Sequence, residues 1–221
     1  MAESLTAKKV RAGKILADLK LLYPNAKCSL DHASPLQLLV ATILSAQCTD
    51  VRVNMVTPKL FAAYPDARAL AAASQEDIEK LIQSTGFFRS KAKALRQTAQ
   101  SLVELHGGEV PQTMAELTAF AGVGRKTANV VLGNAFGQNV GIVVDTHVGR
   151  LSLRLGLTKQ TNAVKVEQDL VKLIPQSDWT VFSHLLIYHG RAVCLARSPR
   201  CSQCTLLAHC PTGQRNVVGH S

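Results

Sequence analysis

The chain has 221 residues, 47% of them hydrophobic, which supplies core for one large domain or two small ones and excludes a disordered chain. Its 25 Lys and Arg exceed 15 Asp and Glu, a formal charge of +10, so a polyanion is the expected partner, with nucleic acid first. The basic residues are scattered instead of forming one amphipathic basic helix, and the longest apolar stretch, Leu36 to Ala46, falls short of the roughly 20 residues that span a bilayer, so a membrane partner is not expected.

Met1 to Lys9 carry no apolar core of a secretory signal, which predicts an intracellular protein with reduced thiols. Apolar residues then recur at helical spacing along almost the whole chain, so an all-helical fold is predicted. A first helix carries Ile15, Leu16, Leu19 and Leu22 and stops at Tyr23-Pro24-Asn25. Ser34 caps a second helix with Pro35 at its first position. Ser74 to Asp77 and Thr113 to Glu116 are capping boxes, and Gly86 and Gly107-Gly108 are helix stops. Cys28 and Cys48 are predicted to be buried free thiols.

Phe120 to Ala128, Phe-Ala-Gly-Val-Gly-Arg-Lys-Thr-Ala, places two glycines between helical segments. Gly122 and Gly124 permit positive φ, and without side chains they let backbone N–H groups meet a phosphate. A dinucleotide fingerprint needs a preceding strand and a third glycine, and the P-loop pattern fails as well. What remains is a helix-hairpin-helix that grips a DNA backbone without reading bases. Lys126, in the first turn after the hairpin, is either a phosphate contact or a nucleophile. Only about one ordinary lysine in a few thousand is neutral at pH 7. Burial, the adjacent Arg125 and the positive end of a helix would each favour the neutral amine.

Val140 to Val144 could be a strand, but with nothing to pair with it reads as an extended connector at a domain border. Asp145 follows it, as the cap of a helix from Thr146 to Leu155 or as an acid at the mouth of a cleft. A later helix is expected to begin after Asp178 as its N-cap and to run from Trp179 towards Ala192. Cys194, Cys201, Cys204 and Cys210 then follow the spacing C-x6-C-x2-C-x5-C. Four soft ligands in so short a span suit zinc or an iron-sulfur cluster, and the spacing alone leaves both open. Arg197 and Arg200 in the loop between the first two cysteines, with Arg191 upstream, either contact phosphates or offset the thiolate charge.

Gly122 to Ala128, Val144 to Val148 and the cysteine spacing, in that order, resemble the bacterial endonuclease III family of the helix-hairpin-helix DNA glycosylase superfamily. The likeness extends to Leu44 to Asp50, Ser90 to Ala92, Gly108 to Pro111, Thr127 to Val131 and His189 to Arg191. It implies an all-α protein of two helical domains with a cleft between them. One is a six-helix barrel over 28–139 that holds the helix-hairpin-helix; the other is an iron-sulfur domain made of 1–27 and 140–221. It implies a [4Fe-4S] cluster on Cys194, Cys201, Cys204 and Cys210, Lys126 as nucleophile and Asp145 as its carboxylate partner. Gln47 would enter the gap left in the base stack and Phe87 would prise the opposite strand. Asp50, Gly122, Gly124, Arg125, His147, Arg191, Arg197 and Arg200 complete the implied DNA contacts.

The implied activity is that of a monomeric, cytoplasmic, nucleoid-associated enzyme on double-stranded DNA with damaged pyrimidines or abasic sites, nicking the strand by β-elimination. Phe87 stands where relatives carry leucine, and Cys48 where alanine is usual. The rivals are a monofunctional mismatch glycosylase, whose relatives lack the hairpin lysine, and a non-catalytic DNA-binding redox sensor that uses the cluster.

Overall fold

A computed structural model describes residues 3–219. Those residues form twelve α-helices joined by turns, four of them 3-10, with no strand among them. None of these helices is long and apolar enough to cross a membrane. The chain divides into two compact units, Cys28–Gln138 and one that joins Met1–Lys27 to Asn139–Ser221.

In the first unit, α2 (Pro35–Leu44) is the central element. Ser34 caps it by accepting from the Gln37 N–H at 3.2 Å. Every residue from Leu38 to Leu44 is buried, as befits a helix surrounded by others instead of lying on a surface. Around it pack α3 (Asp50–Ala63), α6 (Phe88–His106) and α8 (Arg125–Phe136). The short α4 (Ala67–Ala72) and α5 (Gln75–Ile82) lie on α6, and α7 (Met114–Thr118) on α8. Ser74 and Thr113 cap α5 and α7 as their sequences predict, each accepting from the N–H three residues on. Gly107 ends α6 in the left-handed region, and the Gly108 N–H closes on the Leu102 carbonyl at 2.8 Å.

In the second unit, α1 (Leu5–Leu22) buries Ala12, Ile15, Leu16 and Leu19. Leu22, expected on that stripe, is exposed. Tyr23 takes the inward place in the last turn, its ring packed on the core and its hydroxyl 3.0 Å from His189 Nδ1. The 140–144 segment is a connector and not a strand, with Ile142, Val143 and Val144 buried. Asn139 anchors its start, accepting from the Thr180 N–H at 3.0 Å and donating to the Ser177 carbonyl at 3.3 Å. Then come α9 (Thr146–Arg154), α10 (Ala163–Leu170), α11 (Trp179–Ala192) and α12 (Pro211–Val218). Asp178 precedes α11 without capping it by a side-chain bond, because a 3-10 turn over Gln176–Asp178 holds its backbone out of the extended conformation a cap uses. Its carboxylate accepts instead from Lys20 Nζ at 2.5 Å.

Candidate functional site

The turn between α7 and α8 is fixed from behind. Phe120 and Val123 are buried, the Val123 N–H donates to the Phe120 carbonyl at 3.1 Å, and Thr98 on α6 donates to the Ala121 carbonyl at 3.1 Å. Gly122 has φ +75°, which favours glycine, and a Cβ there would stand 3.3 Å from the Ala94 Cβ, a tight contact. Gly124 departs from expectation: its φ of −93° and ψ of 177° are extended, not left-handed. It serves as the N-cap of α8 with no side chain over the first-turn N–H groups, which face outward at the positive end of the helix. Arg125 and Lys126 lie exposed in that first turn. Lys126 is therefore not buried as expected; what its surroundings supply is the helix N-terminus and the neighbouring guanidinium.

Two further turns of this unit carry Gln47 and Phe87. Both are exposed, Phe87 by 66%, and both hold positive φ, 52° and 47°. For non-glycine residues that backbone costs about 1–3 kcal/mol each and persists only where the surroundings over-determine it. Phe88 by contrast packs against the core, which separates the two aromatics that the sequence left equivalent. Asp50 opens α3 behind the capping Thr49. Cys28 and Cys48 are half-buried instead of fully buried, and burial pushes the Cys28 thiol upward. Lys91, only 5% exposed, places its Nζ 2.8 Å from both the Leu44 and the Thr85 carbonyls, and burial lowers its pKa.

In the other unit, Asp145 caps α9, its Oδ1 accepting from the Val148 N–H at 2.8 Å. His184 on α11 is held near pKa 4, chiefly by burial and against the opposing pull of Asp145, so a neutral imidazole shares that carboxylate's surroundings at pH 7. Arg150 Nη2 donates to His147 Nδ1 at 3.2 Å and to the Gly190 and Cys194 carbonyls. Gly190 makes this possible, since a Cβ there would meet His147 Nδ1 at 2.8 Å.

Cys194, Cys201, Cys204 and Cys210 line one recess, together with Leu151, Leu155 and Leu206. Each sulfur has a polar neighbour: Arg154 Nη1 at 3.3 Å from Cys194, Asn216 Nδ2 at 3.5 Å from Cys201, His189 Nε2 at 3.4 Å from Cys204 and the Gly213 N–H at 3.2 Å from Cys210. Burial raises the Cys204 and Cys210 thiols and holds His189 near pKa 4. Among the described residues no three His, Cys, Asp or Glu are grouped as ligands of a single ion. Arg154 also donates to the Leu195 and Ala196 carbonyls at 2.6 and 2.9 Å, and Ser198 turns through φ 50°. Arg191, Arg197 and Arg200 stand exposed around this loop.

Arg150, Arg154, His184 and Asn216 escaped the sequence reading, and Lys91 entered it only within the Ser90 to Ala92 match, with no role assigned. Only Lys91 left a legible signal, a cation on the apolar stripe that runs through Ala92, Leu95, Ala99 and Leu102.

Residues 40–176 match the model of the HhH-GPD superfamily of base excision DNA repair proteins. The endonuclease III of Synechocystis is 59% identical over 214 residues, covering 97% of this chain and 98% of the relative. A non-covalent endonuclease III–DNA complex superposes with a TM-score of 0.90 at 41% identity, over 95% of this chain and 98% of that one. A trapped endonuclease III–DNA covalent intermediate superposes at 0.89, with the same identity and coverage.

Proposed function

The chain belongs to the HhH-GPD superfamily of base excision DNA repair proteins, and from that membership we propose that it is a bifunctional DNA glycosylase and AP lyase that excises oxidised pyrimidines from double-stranded DNA. The observation that carries this reading is Lys126, a solvent-accessible primary amine in the first turn of α8, directly beyond a rigid hairpin of the phosphate-binding kind. A trapped covalent DNA intermediate of a 41% identical endonuclease III supports it.

The chemistry follows from the substrate. A stacked nucleotide hides its C1′ atom and must be rotated out at a cost of about a few kcal/mol. Gln47 and Phe87, exposed on strained turns, are the residues we assign to the vacated stack and the opposite strand. Neutral Lys126 Nζ then attacks C1′, forming the C–N bond as the glycosidic bond breaks and the base leaves with its electron pair. Asp145 accepts the lysine's proton and offsets positive charge at the sugar. The protonated Asp145 returns that proton to the ring oxygen as the sugar opens to a protonated imine, a water takes up the C2′ proton, and the C–H electron pair expels the 3′ phosphate, which leaves with the electrons of its C–O bond and nicks the strand. Gly122, Gly124 and Arg125, with Asp50, His147, Arg191, Arg197 and Arg200, are assigned to grip the DNA around this centre.

For the recess we assign a [4Fe-4S] cluster to Cys194, Cys201, Cys204 and Cys210. Four soft thiol donors converge on this one recess, each with a polar neighbour, a donor set that suits an iron-sulfur cluster, and the likeness to endonuclease III favours that cluster over zinc. Bound there it supplies a cross-link that orders the arginine-bearing loop. On this reading the enzyme works as a monomer on nucleoid DNA in the cytoplasm.

Borohydride added during incubation with an abasic duplex is the direct test: a covalent protein–DNA adduct is expected, and its absence refutes the lyase reading. Asp145→Asn is expected to fold normally, since asparagine caps helices as well as aspartate does, while cleavage falls on the order of 100-fold. Equal loss of thermal stability and activity would instead mark Asp145 as a cap alone. The formal charge of +10 and the hairpin also predict salt-dependent docking. With about four phosphates neutralised, log K against log salt is expected to fall with a slope near −3.6, measured by fluorescence anisotropy on undamaged duplex.

A further inference from the structure

Among the described residues Lys91 is the one buried lysine, and its contacts are specific. Its Nζ bridges the last carbonyl of α2, that of Leu44, and the last carbonyl of the 3-10 turn Gln83–Thr85, that of Thr85. Both are carbonyls that a helical end leaves without a partner in its own segment, where a cation is favoured. The two segments lie about forty residues apart in sequence and touch the same ammonium. Three residues beyond the first carbonyl is Gln47, and two beyond the second is Phe87, two of the three non-glycine residues with positive φ among those described. Nearby bonds serve the same end: Cys48 N–H to Ser45 O at 3.1 Å in one turn, and Ser90 Oγ and the Lys91 N–H on the Phe87 carbonyl, at 2.9 and 3.0 Å, in the other.

We infer that Lys91 is a positioning residue for duplex opening, its ammonium clamping the two turns so that Gln47 and Phe87 are presented together at a fixed separation. This rests on the function proposed above for those two side chains. An apolar residue of the same length would fill the space, yet it would leave two buried carbonyls unpaired and let the turns relax independently. A cation used only for stability would affect every activity alike. One used for presentation matters only where a base stack has to be opened.

The test compares single-turnover lyase rates on an abasic duplex and on the same abasic strand without its complement. In Lys91→Met the duplex-to-single-strand ratio is expected to fall about tenfold, and in Lys91→Gln, which keeps two N–H donors, by less. Gln47→Ala should lower the same ratio, and the double variant Gln47→Ala/Lys91→Met should be no worse than the poorer single one, because both act on one event. A fluorescent base analogue opposite the abasic site should brighten on binding native protein and not Lys91→Met. If Lys91→Met cannot be purified folded, the ratio for Lys91→Gln decides. Equal loss on both substrates, ratios within about twofold of native, or multiplicative losses in the double variant would overturn the inference. Failure of the native protein to trap on either substrate would instead refute the lyase reading.

Discussion

Lys126→Ala is expected to abolish borohydride trapping and to slow strand cleavage at abasic sites by at least about 1,000-fold, while DNA affinity changes by less than about tenfold. The asymmetry follows from what each role needs. As a phosphate contact the lysine would supply one of several charges, and its removal would shift the salt slope by about one contact. As a nucleophile it supplies the atom that bonds to the sugar, and no neighbour on α8 can replace it, since Arg125 stays protonated at any working pH. Lys126→Arg should therefore bind DNA and still fail to trap. Nicking by Lys126→Ala at the native rate would reassign the site to a non-covalent mechanism. Base release without nicking would place the chain with the monofunctional glycosylases.

Cys201→Ser is expected to lower bound iron well below four atoms per chain, to destabilise the protein by at least about 3 kcal/mol and to weaken duplex binding by more than about tenfold. The effect is large because the cage carries structure that the surrounding core does not. The chain from Cys194 to Cys210 holds only two 3-10 turns, and among its residues Leu206 is the one buried hydrophobic. Arg154 holds the first part of this loop by its carbonyls; the last part is held by Arg11 on the His209 carbonyl, by Gln214 on the Ala208 carbonyl and by Cys210, which caps α12 through its sulfur, while Cys201 and Cys204 between them have only single contacts to their sulfurs. Without the cross-link the loop entropy returns and Arg197 and Arg200 lose a fixed address. Elemental analysis, thermal unfolding and anisotropy on an undamaged duplex measure the three quantities. Stoichiometric zinc in the native protein would overturn the cluster assignment, and unchanged stability without iron would overturn its structural role.

The four cysteines were legible because their spacing is local and their chemistry narrow. The hairpin was legible for a similar reason: glycines flanking a valine before a basic helix start leave few alternatives. Lys91 lay in view on an apolar stripe, but a lysine there reads equally as a side chain reaching for solvent, and the carbonyls it meets come from other helices.

What the chain determined by itself are the features decided within a few residues: the caps at Ser34, Ser74 and Thr113, the stop at Gly107, the helical periods and the order of the motifs. These are short-range hydrogen bonds and steric limits, so they are written locally. Tertiary structure alone decided which side of each element faces a neighbour. It turned Tyr23 inward and left Leu22 exposed, kept Lys126 at the surface, seated Phe88 while exposing Phe87, and drew Asp178 to Lys20 instead of its own helix. Burial is a property of the packed ensemble of helices, and a bond such as that from Lys91 to Leu44, 47 residues away, exists only once both ends have been brought together.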